Sequence, residues 1–563
     1  MITVNNITQL KSLQIPSDNY AKVLGYNDPE DDGGGDFFWD SNDVLSSEDG
    51  GLIFESTVLG SSGRWKRLYS GVINVRWFGI AGDGSDESDK LQQALDSLGN
   101  PLSKTCLLIP PGINITIKKT ITIPCSCSFI GTAASSVITA DYNGWSGADY
   151  RAIIVKSREG VNYNLQEFNQ IIGGFRLSGL NNSEIISTGI FFGTDQDITL
   201  GTAVNYACYN MVIKELIVTN FDTAYKIKEC WSCNFNDIMA MYCRVGIEIK
   251  GKVVNTTFNR VRLTNATKSN TSSTELRYGV YIANYLYQGS AGRPEGIIFS
   301  PGCLVYGFDN NLYILSVLVF RISDSVLDGA AADCVVLSAV ANASLKGCYL
   351  YSAGTSARLI KLLAVHVSDT KIEISDNHLI GNSSGSQYGI ENVGNRRGVH
   401  IHRNEFQNLH TAIFANYLNY SSIKDNYSIG LSNRMIYCQS DCSGTIIDGN
   451  FTEENCPVLV CHPTTSSQLI IGTNTSGNTK TYFRGKVTLA ASSTSVLLSN
   501  SLYNSELYLR CWTVIKPTRS IGNYYIVESA DALTPSALLN IETAPIEDVV
   551  IYYEVKAVPY TLV

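Results

Sequence analysis

Between residues 374 and 474 the chain sets one apolar residue, two mostly polar ones and an asparagine in the same order five times. The phrases are Ile374-Ser375-Asp376-Asn377, Ile401-His402-Arg403-Asn404, Ile423-Lys424-Asp425-Asn426, Ile447-Asp448-Gly449-Asn450 and Ile471-Gly472-Thr473-Asn474. Successive asparagines are 27, 22, 24 and 24 residues apart, the kind of period that marks a stacked repeat. Ile, Val, Phe and Tyr fill each unit and Gly, Asn, Ser and Asp punctuate it, as in short strands joined by turns. No run of helical periodicity separates the phrases. A unit of this length therefore predicts about three short strands and three turns, one coil of a parallel β-helix. Coils stack about 4.8 Å apart, which sets each Ile over the next in an inward column. The Asn is expected to turn the chain, adopting left-handed backbone geometry and bonding its amide to the Asn of the next coil.

Upstream the same spacing is looser. Ile213-x-x-Leu216, Phe235-x-x-Ile238 and Phe258-x-x-Val261 recur, then Ile322-x-x-Ser325 and Leu345-x-x-Cys348. Irregular stretches at 140–200 and 265–310 interrupt them, and long excursions from a solenoid usually build a working face. Residues 1–72 form a separate β module, in which a Gly-rich acidic turn precedes the aromatic strand Phe37-Phe38-Trp39. After residue 481 the period stops, and 482–563 alternate as an antiparallel β module does. The predicted division is thus 1–72, 73–481 and 482–563. Leu91, Ala94, Leu95 and Leu98 recur at helical spacing, with Ser85 or Asp86 as the expected N-cap.

The run Trp77-Phe78-Gly79-x-x-Gly82-Asp83-Gly84, that short helix, and then Ile109-Pro110-Pro111-Gly112 resemble the entrance of the pectate-lyase-like β-helix superfamily. Within it, the similarity is to bacteriophage tailspikes and capsule depolymerases, over roughly residues 72–475. The resemblance implies an all-β fold: a right-handed parallel β-helix, a solenoid, with small N-terminal and C-terminal β domains. The helix would cap the open end of the stack, where apolar core and unpaired strand edges are otherwise bare. The resemblance further implies a homotrimer, a C-terminal domain that caps or trimerises, and attachment to the phage tail or baseplate through the N-terminal module. It implies a virion protein made in the host cytoplasm, with a bacterial surface polysaccharide, capsule or O-antigen, as partner and substrate. Asp83, Asp86 and Asp89 are structural on this resemblance, not catalytic.

The net charge of −9 argues against a nucleic-acid surface. The most apolar run, Tyr313 to Phe320, is too short to cross a bilayer, and Met1-Ile2-Thr3-Val4 lacks the basic and apolar regions of a signal peptide. Neither nucleic acid nor membrane is an expected partner. The 15 cysteines are scattered on strand-like segments as buried thiols, without the tight paired spacing of a zinc site. No cofactor or metal is expected. Gly381-x-Ser383-x-Gly385 has the letters of a nucleophile elbow, but no helical run follows it, so it is a turn. His400 and His402 flank Ile401 and are expected to face away from the core.

Glycoside hydrolysis needs two carboxylates. Outward positions one or two coils apart lie about 4.8 or 9.6 Å apart, which brackets the separations that retaining and inverting chemistry use. The preferred set is Glu295, Asp324 and Asp328. Glu295 opens the strand Glu295-Gly296-Ile297-Ile298-Phe299, and Asp324 and Asp328 lie in Ile322-Ser323-Asp324-Ser325-Val326-Leu327-Asp328-Gly329. A Glu before an Ile/Phe strand and an Asp ending an Ile-x-x-Ser-Val-x-Asp strand about one coil later resemble the layout of many tailspike depolymerases. Tyr285, Tyr287 and Trp231 are candidates to stack on sugar rings, and Arg293 to bind substrate. Asp237, Glu373, Glu405 and Asp448 are weaker carboxylate candidates. Two rivals stand beside hydrolysis. One is a lyase, in which Arg293, Arg321 or Arg403 neutralises a substrate carboxylate. The other is a non-catalytic receptor-binding fibre.

Overall fold

The computed structural model describes residues 1–559 except 15–18, 99–104, 125–126, 133–134, 148, 157–169, 182–184, 194–207, 265–274, 288–289, 364–370, 384, 440–441, 454–455, 457–458, 462–468, 473, 477–481, 490–494, 500–507, 518–523 and 529–535. The fold is all-β, a parallel β-helix with a small β module at each end. The chain divides into two units, residues 1–308 and 309–563.

The first unit begins with a five-stranded sheet, in spatial order Ile2–Val4, Tyr20–Val23, Gly35–Asp40, Gly60–Leu68 and Ile53–Ser56. The first pair is parallel and the rest antiparallel. Phe37, Trp39, Phe54 and Trp65 fill its core. The helix Ile7–Lys11, capped by the Asn6 side chain on the N–H of Gln9 at 3.0 Å, is too short to show a period in sequence. Arg67 is buried between this module and the next segment. It donates to the carbonyls of Gly51, Gly34 and Gly33 at 2.9, 2.5 and 2.9 Å and lies over the rings of Phe37 and Trp77.

The capping helix spans Ser88–Ser97, and Leu91, Ala94, Leu95 and Leu98 are all buried. Its N-cap is Glu87, not Ser85 or Asp86. Glu87 turns its carboxylate back onto the N–H groups of Ala81 and Gly82 at 2.5 and 3.1 Å. Asp86 instead accepts from the N–H groups of Ser88 and Lys118 at 3.0 and 3.2 Å. Asp83 accepts from the Ser85 N–H at 2.9 Å, and Asp89 pairs with Lys119. The acidic cluster closes turns and fixes the cap. Beyond it the coils run parallel. Ile213, Phe235, Phe258 and Phe299 stand in register, and the last three rings stack at 4.8 and 4.7 Å.

In the second unit each regular coil holds three strands, as in Thr411–Ala415, Ser422–Lys424 and Tyr427–Ile429. Ile374, Ile401, Ile423 and Ile447 pair in register and are essentially inaccessible. The asparagines form a continuous buried ladder. Nδ2 of Asn377, Asn404, Asn426 and Asn450 donates to Oδ1 of the next at 2.9, 3.0, 2.9 and 2.8 Å. The same oxygens accept the backbone N–H of the preceding Asn at 3.1, 3.0, 3.2 and 3.1 Å. One expectation is corrected. The residue in left-handed geometry is the one before the Asn, with φ of 58° at Asp376, 54° at Arg403, 54° at Asp425 and 69° at Gly449. The Asn amide is saturated on both sides, so its neighbour makes the corner. The chain ends in two three-stranded antiparallel sheets. They are ordered Tyr482–Leu489, Val549–Pro559, Tyr508–Pro517 and Ser495–Ser499, Ser536–Ile541, Tyr524–Glu528.

Candidate functional site

Alternation along a strand sends every second side chain out of the coil, so outward columns in register are where chemistry accumulates. In the first unit the column Tyr209, Trp231, Val254, Glu295 runs over successive coils. Cys230 and Val253 point inward and are buried, which turns Trp231 and Val254 outward. Tyr209 meets Trp231 edge-on at 5.2 Å. The Lys252 ammonium lies 4.6 Å from the Trp231 ring. Burial holds the Lys252 ammonium below the usual lysine range, and the carboxylate of Glu229 pulls the other way. Glu229 pairs in register with Lys252 and is wholly buried.

Glu295 is exposed at the start of its strand. Gly296 follows with φ of 67°, and a side chain there would run into Asn255, so the strand entry depends on glycine. Arg293 is half-buried just before it. Tyr285 lies in the hairpin Tyr285–Tyr287 and Ser290–Gly292. Its ring covers Gly292 so closely that an added Cβ would sit 2.5 Å away. Tyr287 lies in the same strand, and its side chain is outside the described residues. The structure thus brings Trp231 and Glu295 onto one column two coils apart. Sequence reasoning missed Glu229, Lys252 and Tyr209, whose relation to Trp231 comes only from register.

In the second unit Asp324 stands at a coil corner with φ of 45°, the position that Asp376 and Asp425 occupy in later coils, and its carboxylate overhangs Gly347. Asp328 lies four residues on, in the strand Val326–Ala330, where pairing slips between Leu327 and Ala330. Such bulges re-aim side chains. The Asp328 carbonyl accepts from Asn311 Nδ2 at 3.1 Å. Its charge, after burial, helps raise the Tyr349 phenol above the usual range. Outward from these strands run Tyr349, His378, Glu405, Tyr427 and Phe451 in one register column. His378 Nε2 lies 3.6 Å from Glu405 and 3.3 Å from Gln407, and Tyr427 stacks on Phe451 at 5.8 Å. A signal for this column was present. From His378 to Phe451 its members directly follow the repeated asparagines.

The remaining candidates are spoken for. Arg403 forks onto Asp376 at 2.7 and 3.0 Å. Arg321 donates to the Phe320 and Asn342 carbonyls and to Asn342 Oδ1. Asp237 is held by Arg260, and Glu373 lies 3.6 Å from His402. His400 and His402 face outward, and His400 meets Ser422 at 2.9 Å. Ser383, with φ of 61°, sits in a turn. The described cysteines are free thiols, all but Cys106 buried. Among the described residues no helix is long and apolar enough to cross a membrane.

Residues 3–70 match the family described as the phage tail protein small four-stranded beta-sheet domain. A second similarity is to the tail spike protein of Shigella phage Sf6, 24% identical over 272 residues, 48% of this chain and 40% of the relative. The chain is thus similar to a phage tail domain at residues 3–70 and to a tail spike protein over about half of its length. A Mu-like prophage FluMu defective tail fiber protein of Haemophilus influenzae is 33% identical over 95 residues, 16% of this chain and 15% of that one. The tailspike-like chain spans well under half the length of these curated relatives. Among solved structures it is similar to a tailspike of Escherichia coli bacteriophage HK620 in complex with pentasaccharide, with 9% identity, TM-score 0.49, and coverage of 91% of this chain and 98% of that one. It is also similar to tailspike gp49 of Acinetobacter baumannii bacteriophage Fri1, a capsular polysaccharide depolymerase, with 10% identity, TM-score 0.42, and coverage of 100% and 99%.

Proposed function

We propose that this chain binds a bacterial surface polysaccharide along its coils and cleaves it by hydrolysis with paired carboxylates. The observation that carries this reading is the column Tyr209, Trp231, Val254, Glu295. It sets two aromatic faces for sugar C–H groups in line with an exposed carboxylate. Within the first unit the carboxylate that accompanies Glu295 is Glu229. The two stand two coils apart and two residues apart along the strand, roughly 12 Å between backbones, so their side chains must converge to reach the spacing of inverting chemistry. Asp328, in its bulge beside Tyr349, is the corresponding candidate of the second unit, and Asp324 serves its corner. Hydrolysis is favoured over lysis because Arg321 and Arg403, two of the three candidate neutralisers, are already engaged. Residues 1–72 attach the chain to the tail, 73–481 carry the site, and 482–563 cap and join a homotrimer.

The test is incubation with a panel of capsular and O-antigen polysaccharides, with product mass and ultraviolet absorbance read together. Hydrolysis gives shortened chains, each break carrying one added water. Lysis gives a new absorbing double bond, and a mere binding fibre gives no shortening. Glu295→Gln and Asp328→Asn are each expected to lose at least a hundredfold in turnover while the protein stays folded. Wild-type turnover in either variant removes that residue from the mechanism.

A further inference from the structure

Apart from the Trp231 column, the coil corner and short-strand face of the first unit line an open cleft of about 470 Å³, within the range of small-molecule sites. Its walls include Asp237, Met239, Arg260, Arg262, Pro301 and Gly302. Two guanidiniums against one carboxylate leave a cation in excess. Arg260 is committed: its Nε and Nη2 donate to Asp237 Oδ1 and Oδ2 at 2.7 and 2.5 Å. That fork occupies both oxygens of the only carboxylate among these residues. Arg262 differs. It stands in the outward register column between Met239 and Leu304, it is exposed, and its guanidinium feels the charge of Asp237 but makes no side-chain hydrogen bond or ion pair among the described residues.

We propose that this cleft is a subsite for an acidic sugar unit, one bearing a carboxylate or a phosphate, with Arg262 as its recognition residue. The proposal rests on the polysaccharide reading above and narrows its substrate class. A guanidinium offers a planar pair of donors that matches a carboxylate or phosphate in two parallel bonds. Met239 and Pro301 supply an apolar wall for the sugar's C–H face, and the Asp237–Arg260 pair fixes the opposite rim. The chain as a whole carries a charge of −9, so an acidic polymer gains attraction only where cations are concentrated.

The experiment compares uronic-acid-containing capsules with their carboxyl-reduced forms, and phosphate-bearing polymers with their dephosphorylated forms. Binding to the full chain is measured for wild type, Arg262→Ala and Arg262→Gln, with thermal melts to confirm folding. Wild type is expected to bind an acidic polymer and to lose about tenfold or more in affinity when the acid group is removed. Both variants are expected to lose a similar factor on the native polymer and to ignore removal of the acid group. The arm that responds tells carboxylate from phosphate. A wild type that prefers neutral polymers, or variants that bind an acidic polymer as wild type does, overturns the subsite and leaves the proposed function standing. Failure of wild type to bind or cut any polymer in the panel overturns both.

Discussion

The side chain of Asn426 makes hydrogen bonds in both directions at once. It donates to the Ile401 carbonyl and to Asn450 Oδ1, and it accepts from the N–H and the amide of Asn404. A buried polar group left unpaired costs about 1–3 kcal/mol, and truncation here strands partners on two coils. Asn426→Ala is therefore expected to lose about 2–4 kcal/mol, read as a lower denaturant midpoint. An outcome near zero would mean that water replaces the amide. His400 gives a second residue-scale expectation. Burial, then the neighbouring His402 and Lys371, hold its imidazole below the ordinary histidine range, against the opposite pull of Glu373. The folded state thus binds the proton less readily than the unfolded chain. The contribution is present above the unfolded pKa of about 6.5 and is lost as pH falls below it. His400→Asn is expected to flatten the decline of melting temperature between pH 7 and 5, and an unchanged slope would refute this.

At the scale of the element, the corner before each repeated asparagine is turned by a residue of positive φ, and such corners of successive coils touch. Gly449 has φ of 69°, and a side chain at that point would strike Asp425 Oδ1. Gly449→Ala is expected to cost about 1–3 kcal/mol from backbone strain and crowding together. The double variant with Asp425→Ala should recover the crowding share alone, a positive coupling in a double-mutant cycle. The corners also show how far the sequence could be read. The phrase Ile-x-x-Asn placed the inward column and the ladder correctly, because both repeat with the coil. It did not show which of the four residues takes the left-handed turn. Asp, Arg and Gly all occupy that place, and only the saturation of the Asn amide reveals that the turn must fall on its neighbour. The capping helix behaved similarly. Its apolar spacing was legible, but its start was not, since Glu87 is drawn back to the N–H groups of Ala81 and Gly82.

For the whole molecule, a small β module, a coil stack and a terminal β module follow one another along a chain whose net charge is −9. On the reading proposed for it, a polysaccharide would contact several coils at once, each adding a modest contribution. The trimer proposed above gives a direct check: light scattering on the purified protein should return three times the 61.5 kDa of one chain. A monomeric mass would remove the role given to residues 482–563.

The sequence by itself determined the coil, its period, the Ile column, the Asn ladder and the apolar face of the cap, because each is a local pattern that stacking merely repeats. Only the tertiary structure decided which outward residues stand together. Trp231 pairs with Val254, 23 residues on, but Val254 pairs with Glu295, 41 residues on, since an excursion lengthens that one coil. Spacing cannot say where such an excursion leaves and rejoins the stack. Burial of Glu229 beside Lys252 and the exposed guanidinium of Arg262 depend on that register, and so were decided by hydrogen bonding between coils.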